Sequence, residues 1–151
     1  MSIPQNPNSH RAGYAGATHR LSLTGVRLRK HADYQRVYAA ARKRQSSTMS
    51  WFLAPQAEPA VGPRVGLTAG KVLGKAHDRN RIKRRMREVL RRHIDLLPKG
   101  FDLILHPRQA VLTVDFTKLD AEVVRILMQA KMQAETEAAR GFQPAAAKPV
   151  L

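Results

Sequence analysis

The sequence predicts an α+β domain in which a single β-sheet carries α-helices packed on it. Two observations predict this fold class. Three segments repeat apolar residues every three to four positions, as amphipathic helices do, and three short apolar segments bounded by Pro, Gly or polar residues are typical of strands. Their order suits one sheet covered by helices. In chain order they are a helix at 31–42, strands at 48–54 and 64–69, a helix at 79–94, a strand at 101–106 and a helix at 117–138.

The first helix is predicted from four residues spaced i, i+3, i+4 and i+7, which lie on one helix face. The strand at 48–54 (TMSWFLA) ends where a loop rich in Pro and Gly begins. In the strand at 64–69, Val65 and Leu67 lie on the same face, because side chains alternate along a strand. The apolar face of the first helix consists of Tyr34, Val37, Tyr38 and Ala41.

The helix at 79–94 follows Asp78, which is a candidate N-cap residue. Pro107 is expected to stop the strand at 101–106 (FDLILH), because proline cannot donate to a sheet ladder. The two later helices each bury one apolar face: Ile82, Met86, Val89, Leu90 and Ile94 in the first, and Leu119, Val123, Ile126, Leu127 and Ala130 in the second.

Length and composition narrow the class of protein further. The 151 residues suit one domain, which we expect at 23–138, between a disordered N-terminal arm (1–22) and a flexible tail (139–151). The chain has no Cys, which excludes disulfides, thiolate zinc sites and a cysteine nucleophile. No stretch approaches the ~18 apolar residues that span a bilayer, and no secretion signal is visible, so we expect a cytoplasmic protein.

The net charge is +16, and all of the excess lies in the first two thirds of the chain. Residues 1–108 have 22 Lys and Arg against 6 Asp and Glu, whereas residues 109–151 have 5 of each. The densest part is 79–92, with eight cations and one acid, Glu88. Because such a cluster repels itself, it indicates a polyanionic partner.

The helix at 79–94 therefore combines a core face with a cationic face. Guanidinium groups bind phosphate oxygens bidentately, and Asn80 can donate to a phosphate or contact a base or sugar edge. A solvated charged face is the usual interpretation of a charge run, but eight cations to one acid argue against it. On a helical wheel, the residues that flank or oppose the apolar stripe are Arg79, Asn80, Lys83, Arg84, Arg87 and Arg91.

Aromatic residues provide a second candidate surface. Tyr34 and Tyr38 are one helical turn apart and close in sequence to several cations, a pattern typical of stacking platforms for single-stranded nucleic acid. The competing interpretation, favoured by spacing alone, is that both are core residues with hydroxyls at the surface. Phe52 could join the same surface, whereas Trp51 on the opposite strand face is expected in the core.

The sequence predicts no catalytic site and no metal site in the protein. The segments around Lys71 and Lys75 are one residue short of a phosphate-binding loop, and neither lysine is followed by Ser or Thr. The six histidines lack metal-ligand spacing, and the scattered acids form no paired carboxylates for a two-metal nuclease.

The segment RVGLTAGKVLGKAHDRNRIKRRMREVLR (64–91), preceded by HADYQRVY (31–38), resembles the protein subunit of bacterial ribonuclease P. The core of the resemblance is RNRIKR at 79–84, preceded by Lys71, Gly74 and Ala76. FDLILHPR (101–108) also fits, and the similarity covers roughly residues 25–130.

The resemblance implies a small two-layer α/β sandwich with a sheet of about four strands, one more than the pattern supports. It also implies a left-handed βαβ crossover carrying the basic helix, as in folds like domain 2 of ribosomal protein S5. The implied function is to bind the catalytic RNA subunit and the 5′ leader of precursor tRNA, assisting leader removal. The RNA is then the catalyst, and Mg²⁺ is held mainly by RNA, with no small-molecule cofactor.

For the residues that match the family motif, the resemblance implies two binding roles. In the family, two adjacent lysines are usual where this chain has Lys71 and Val72, so one cation contact is absent and Lys75 is expected to compensate. The implied leader-binding residues are Tyr34, Tyr38 and Phe52. The implied RNA-subunit-binding residues are Lys71, Lys75, Arg79, Asn80, Arg81, Lys83, Arg84, Arg87 and Arg91.

Three other functions compete with this one. A ribosomal or general RNA-chaperone protein shares the charge, but does not predict the spacing from Lys71 to RNRIKR. A nuclease acting alone needs the carboxylate or histidine cluster that the sequence lacks. A role at a membrane surface is weaker still, because the apolar stripe of the basic helix faces the predicted sheet.

Overall fold

The described residues, 23–58 and 62–140 of a computed structural model, form three α-helices and four β-strands. The predicted N-terminal arm and residues 141–151 of the predicted tail lie outside them. Short 3₁₀ turns occupy Leu23–Val26, Lys71–Leu73, Ile94–Leu96 and Gln109–Leu112. The main elements are α1 (His31–Ala40), β1 (Arg44–Gln45), β2 (Met49–Pro55), β3 (Arg64–Leu67), α2 (Ala76–Arg92), β4 (Phe101–Pro107) and α3 (Phe116–Ala139).

The four strands form one mixed sheet in the order β1-β2-β4-β3. β2 runs antiparallel to β1 and β4, whereas β3 is parallel to β4 and connected to it through α2. The outer edge of β3 is partly covered, since the Leu28 N–H donates to the Val65 carbonyl (2.9 Å). The strand missing from the sequence prediction is β1, because two polar residues leave no alternating pattern.

Helices cover both faces of the sheet. α2 and α3 pack on the face that presents Trp51 and alternate residues of β2 and β4, which form the main core. α1 packs on the opposite face through Val37, against Ala54 and Ile104. Trp51 is buried in the main core, as predicted. The α+β prediction and the four-stranded sheet are confirmed.

Several predicted boundaries shift. α2 begins at Ala76, so Asp78 lies within its first turn and the N-cap residue is Lys75; the predicted capping role of Asp78 is wrong. Its carboxylate still lies near the positive end of the helix dipole. α1 ends at Ala40, two residues early, and β4 includes Pro107, which follows the last residue predicted for that strand. No described helix is long and apolar enough to cross a membrane.

Candidate RNA-binding surfaces

α2 presents its basic residues on the part of its circumference that faces away from the core. Ile82, Met86, Val89 and Leu90 are buried, which fixes the rotation of the helix and directs the charges outward. The 17 residues span about 25 Å, enough to cross several phosphates of an RNA strand. Among the predicted RNA-subunit contacts on α2, the exposed side chains are Asn80, Arg81, Arg84 and Arg91, and the half-buried ones are Arg79, Lys83 and Arg87.

The loop before α2 adds two further cations that are predicted to contact the RNA subunit, Lys71 and Lys75, and both are exposed. Gly74 turns this loop with a φ of +115°, a conformation that other L-residues rarely adopt. Arg79 donates from Nη1 to the Gly74 carbonyl (3.0 Å) and so ties the loop to the helix. Val72, where the family usually has a second lysine, is 91% exposed between the two cations.

Two further cations of the basic helix make contacts within the fold. Arg85 donates to three carbonyls between Val111 and Val114 (2.6–3.0 Å) and lies over the Phe116 ring. Arg92 also lies over Phe116. Arg85 is therefore committed to the fold by three hydrogen bonds, whereas Arg92 is exposed.

An open cleft of about 570 Å³ lies at the β3 edge, between α2 and the segment that precedes α1. One wall carries cations one helical turn apart, and the other carries cations from the preceding segment; Tyr34 also lines it. We call this the β3-edge cleft. Its cations are Lys83, Arg87 and Arg91 on α2, with Arg27 and Arg29 opposite.

Three rings meet on the α1 side of the sheet, and we call them the ring cluster: Tyr38, Phe52 and His106. Their centroids lie 5.1–5.6 Å apart, and the Tyr38 ring meets both others nearly edge-on. The Tyr38 hydroxyl hydrogen-bonds to His106 Nε2 (2.7 Å). Burial, aided by the charge of Lys43, lowers the pKa of His106 below its usual value, which favours the neutral ring. Tyr38 remains 38% exposed, so a base can reach its ring.

Tyr34 lies between the ring cluster and the β3-edge cleft. Its ring is 6.4 Å from that of Tyr38, and its hydroxyl donates to the Leu28 carbonyl (3.2 Å). It packs directly over Gly66, where a Cβ would lie 2.5 Å from the Tyr34 hydroxyl oxygen. Burial, reinforced by Tyr38, raises the pKa of Tyr34. Tyr34 therefore combines a packing role with a position beside both surfaces.

A partly buried ion-pair network holds α1 on the sheet. Asp102 on β4 is fully buried and accepts hydrogen bonds from Arg36 (2.5 Å) and, through both its oxygens, from Arg64 (2.8 and 3.0 Å). Asp33 pairs with the same two arginines. Because the network joins α1, β3 and β4, it fixes the helix that carries Tyr34 and Tyr38.

The structure brings the predicted residues together on two surfaces, and sequence reasoning missed His106. Tyr38 and Phe52 are in direct contact on the α1 face, whereas α2 packs on the other face and its cations Lys83, Arg87 and Arg91 line the β3-edge cleft beside Tyr34. The alternation of side chains along β4 could have identified His106. Ile104 pairs with Phe52, and His106, two residues further along β4, lies on the same face of the sheet. Within the described residues, no group of three or more His, Asp or Glu could hold a metal ion.

Comparisons with known proteins identify one family. The ribonuclease P family profile matches residues 24–131. The chain is 35% identical over 105 residues to the ribonuclease P protein component of Chloroflexus aggregans, covering 69% of this chain and 76% of that protein. It is 30% identical over 106 residues to that of Desulfovibrio desulfuricans, covering 68% and 80%.

Solved structures extend the similarity to the fold. The RNase P protein from Thermotoga maritima matches with a TM-score of 0.60 and 27% identity, over 68% of this chain and 96% of that one. The Staphylococcus aureus RNase P protein matches with a TM-score of 0.60 and 26% identity, over 70% and 95%. The chain belongs to the ribonuclease P protein family, and thus to the RNA-binding protein components of a tRNA-processing endoribonuclease.

Proposed function

We propose that this chain binds the catalytic RNA subunit of ribonuclease P through α2 and the 5′ leader of precursor tRNA through the ring cluster and Tyr34. The observation that carries the proposal is the β3-edge cleft, where the basic row of α2 and Tyr34 line one opening. A single RNA-bound protein can therefore contact two RNA molecules at adjoining surfaces.

The two surfaces suit different parts of RNA. Guanidinium groups spread along α2 match phosphates of a folded RNA, and their contribution does not depend on base identity. The exposed Tyr38 ring can stack on an unpaired base, as found only in a single-stranded segment such as a leader.

In this proposal the protein positions the RNA and screens its phosphate charge, and the RNA subunit catalyses the cleavage. Hydrolysis leaves a 5′-phosphate on the mature tRNA and a 3′-hydroxyl on the leader. Mg²⁺ is held mainly by the RNA, and the +16 charge of the protein lowers the magnesium concentration that RNA folding and substrate binding require. The holoenzyme acts in the cytoplasm.

The test is cleavage of a precursor tRNA by a bacterial ribonuclease P RNA at low Mg²⁺, with and without this protein. We expect stimulation with the RNA and no cleavage by protein alone. Tight RNA binding without stimulation would instead identify a general RNA-binding protein. Cleavage by the protein alone would place a catalytic site in this chain and overturn the proposal.

A further inference from the structure

Glu122 on α3 is hydrogen-bonded to the loop at the β1 edge of the sheet. Its side chain is 4% exposed and accepts four hydrogen bonds from the Ser46–Thr48 loop, which links β1 to β2. The donors are the Ser46 hydroxyl, the Ser47 hydroxyl (3.2 Å), and the hydroxyl and backbone N–H of Thr48 (both 2.8 Å). Three consecutive residues thus direct polar groups at one buried carboxylate.

A cation holds the carbonyl groups of the same loop. Arg108, just after β4, donates to the carbonyls of Ser46 (2.6 Å) and Ser47 (3.4 Å), and also to the Ser50 hydroxyl (3.1 Å). Its backbone N–H donates to the Thr48 carbonyl (2.8 Å). The hydroxyls of the loop therefore face an anion while its carbonyls face a cation.

These anchors matter because β1 is only two residues long. A ladder of two residues is marginal by itself, so the Ser46–Thr48 loop decides where the edge of the sheet lies. Lys43 immediately precedes β1 and is exposed, and the β1–β2 register, which pairs Arg44 with Trp51, places it opposite Phe52 of the ring cluster. The loop therefore sets the distance between a cation and the ring cluster.

The protonation state of Glu122 supports an anchoring role. Burial alone would raise the pKa of this carboxyl, but hydrogen bonds from Ser46, Thr48 and Ser47 outweigh burial and lower it. The ionised form, which accepts all four bonds, is therefore the form present at neutral pH.

We propose that Glu122 is a positioning residue for leader binding: through the Ser46–Thr48 loop it holds Lys43 beside the ring cluster, where the cation contacts leader phosphates. This inference rests on the proposed function of the ring cluster. It assigns to α3, whose other buried residues serve the main core, a role on the opposite face of the sheet.

The experiment measures the affinity of the reconstituted holoenzyme for precursor and mature tRNA, and takes their ratio as the leader advantage. Glu122→Gln removes the charge that the four donors require. We expect it to reduce the leader advantage about two- to tenfold, the size of one displaced phosphate contact, with RNA-subunit affinity unchanged. Glu135→Gln, at an exposed position of the same helix, is the matched control and should leave both affinities unchanged.

A double-mutant cycle separates positioning from general stability. Lys43→Ala should reduce the leader advantage by itself, and should have little further effect once Glu122→Gln has displaced the lysine. Lys118→Ala, at an exposed position of α3, should be additive with Glu122→Gln. Additive effects of Lys43→Ala and Glu122→Gln, or an unchanged leader advantage in Glu122→Gln, would overturn the inference.

Two further comparisons keep the test decisive. Where Glu122→Gln is too unstable to assay, Ser47→Ala takes its place in the double-mutant cycle, because it removes one of the four donors at an exposed position. We then expect the effects of Ser47→Ala and Lys43→Ala to be coupled. Additive effects would overturn the inference. If Lys43→Ala and Tyr38→Ala both leave the leader advantage intact in the otherwise unchanged protein, the proposed leader site itself fails. If Lys43→Ala reduces the leader advantage but its effect is not coupled to that of Glu122→Gln or Ser47→Ala, only the role of Glu122 is overturned.

Discussion

The basic face of α2 and the ring cluster are built in opposite ways. The basic face comes from one continuous segment, whose buried apolar stripe alone directs the charges outward. The ring cluster takes Tyr38 from α1, Phe52 from β2 and His106 from β4, so it exists only when three elements are packed. A surface formed by one helix tolerates small movements of its neighbours, whereas a cluster of three rings does not.

The difference also separates the two kinds of binding energy. Phosphate contacts along α2 add up over many cations and weaken with salt, because they release counterions. Ring contacts in the cluster depend on exposed aromatic area and are less sensitive to salt. Variants of the two surfaces should therefore differ in salt dependence as well as in which RNA they affect.

The largest effect is expected on the basic face. Arg84→Ala and Arg87→Ala should each weaken RNA-subunit binding by about 10- to 100-fold, because a hydrogen bond to a charged group contributes about 1.5–3 kcal/mol. Each should also reduce the slope of log affinity against log salt by about one. Filter binding over a series of salt concentrations measures both, with Arg125→Ala on α3 as control. An unchanged slope would contradict the phosphate assignment.

The ring cluster should respond next. Tyr38→Ala removes a stacking surface contributing about 1–3 kcal/mol per base, and should weaken binding of precursor tRNA but not of mature tRNA. Tyr38→Phe keeps the ring and loses only the bond to His106, so it should retain most of the affinity. Tyr34→Ala is also expected to weaken precursor binding relative to mature tRNA. Equal losses for both tRNAs would remove these tyrosines from the leader site.

Gly66→Ala tests the packing beneath Tyr34. The added Cβ would lie 2.5 Å from the tyrosine hydroxyl oxygen and 2.9 Å from Cζ, so the ring must move. Overpacking of this kind costs about 1–3 kcal/mol in the free energy of unfolding. The midpoint of thermal unfolding and the affinity for precursor tRNA should both fall, while the affinity for the RNA subunit stays unchanged. Gly70→Ala, with nothing within 4 Å of its Cβ, is the control, and equal stability of the two variants would refute the close packing.

A smaller effect is expected from pH. Because burial lowers the pKa of His106 in the folded chain, the unfolded chain binds more protons near pH 6.5. The contribution of His106 to stability is therefore complete above its ordinary pKa and is lost as the pH falls through the lowered folded value. Urea unfolding from pH 5 to 8 should show this loss in the natural sequence and less of it in His106→Gln. Identical pH profiles would show that His106 titrates normally.

The smallest effect is a gain. Val72→Lys restores a cation at an exposed position between Lys71 and Lys75, and should tighten RNA-subunit binding by about two- to fivefold with a steeper salt slope. Val72→Gln separates charge from polarity and should change neither quantity. A lysine that leaves the affinity unchanged would place Val72 outside the RNA interface.

The parts of the fold that were predictable from sequence are those specified by local pattern. Ile82, Met86, Val89 and Leu90 repeat at helical spacing, and all four are buried as predicted. The start of α2 was missed because Asp78 is a good cap by residue type, although the helix begins at Ala76 without any side-chain cap. β1 could not be predicted because its two polar residues leave no alternating pattern, and because the residues that hold the adjoining Ser46–Thr48 loop, Glu122 and Arg108, are distant in sequence.

The sequence by itself determined the charge, its confinement to the first two thirds of the chain, the amphipathic basic helix and the family resemblance, because each is a property of contiguous residues. Only the tertiary structure decided which cations are available. Arg85 is hydrogen-bonded to backbone carbonyls and Arg91 is paired with Glu88 (2.6 Å), whereas Lys83 and Arg87 line the β3-edge cleft without an ion-pair partner among the described residues. It also decided that His106 joins Tyr38 and Phe52, since contacts between distant segments follow from strand register and helix packing rather than from local spacing.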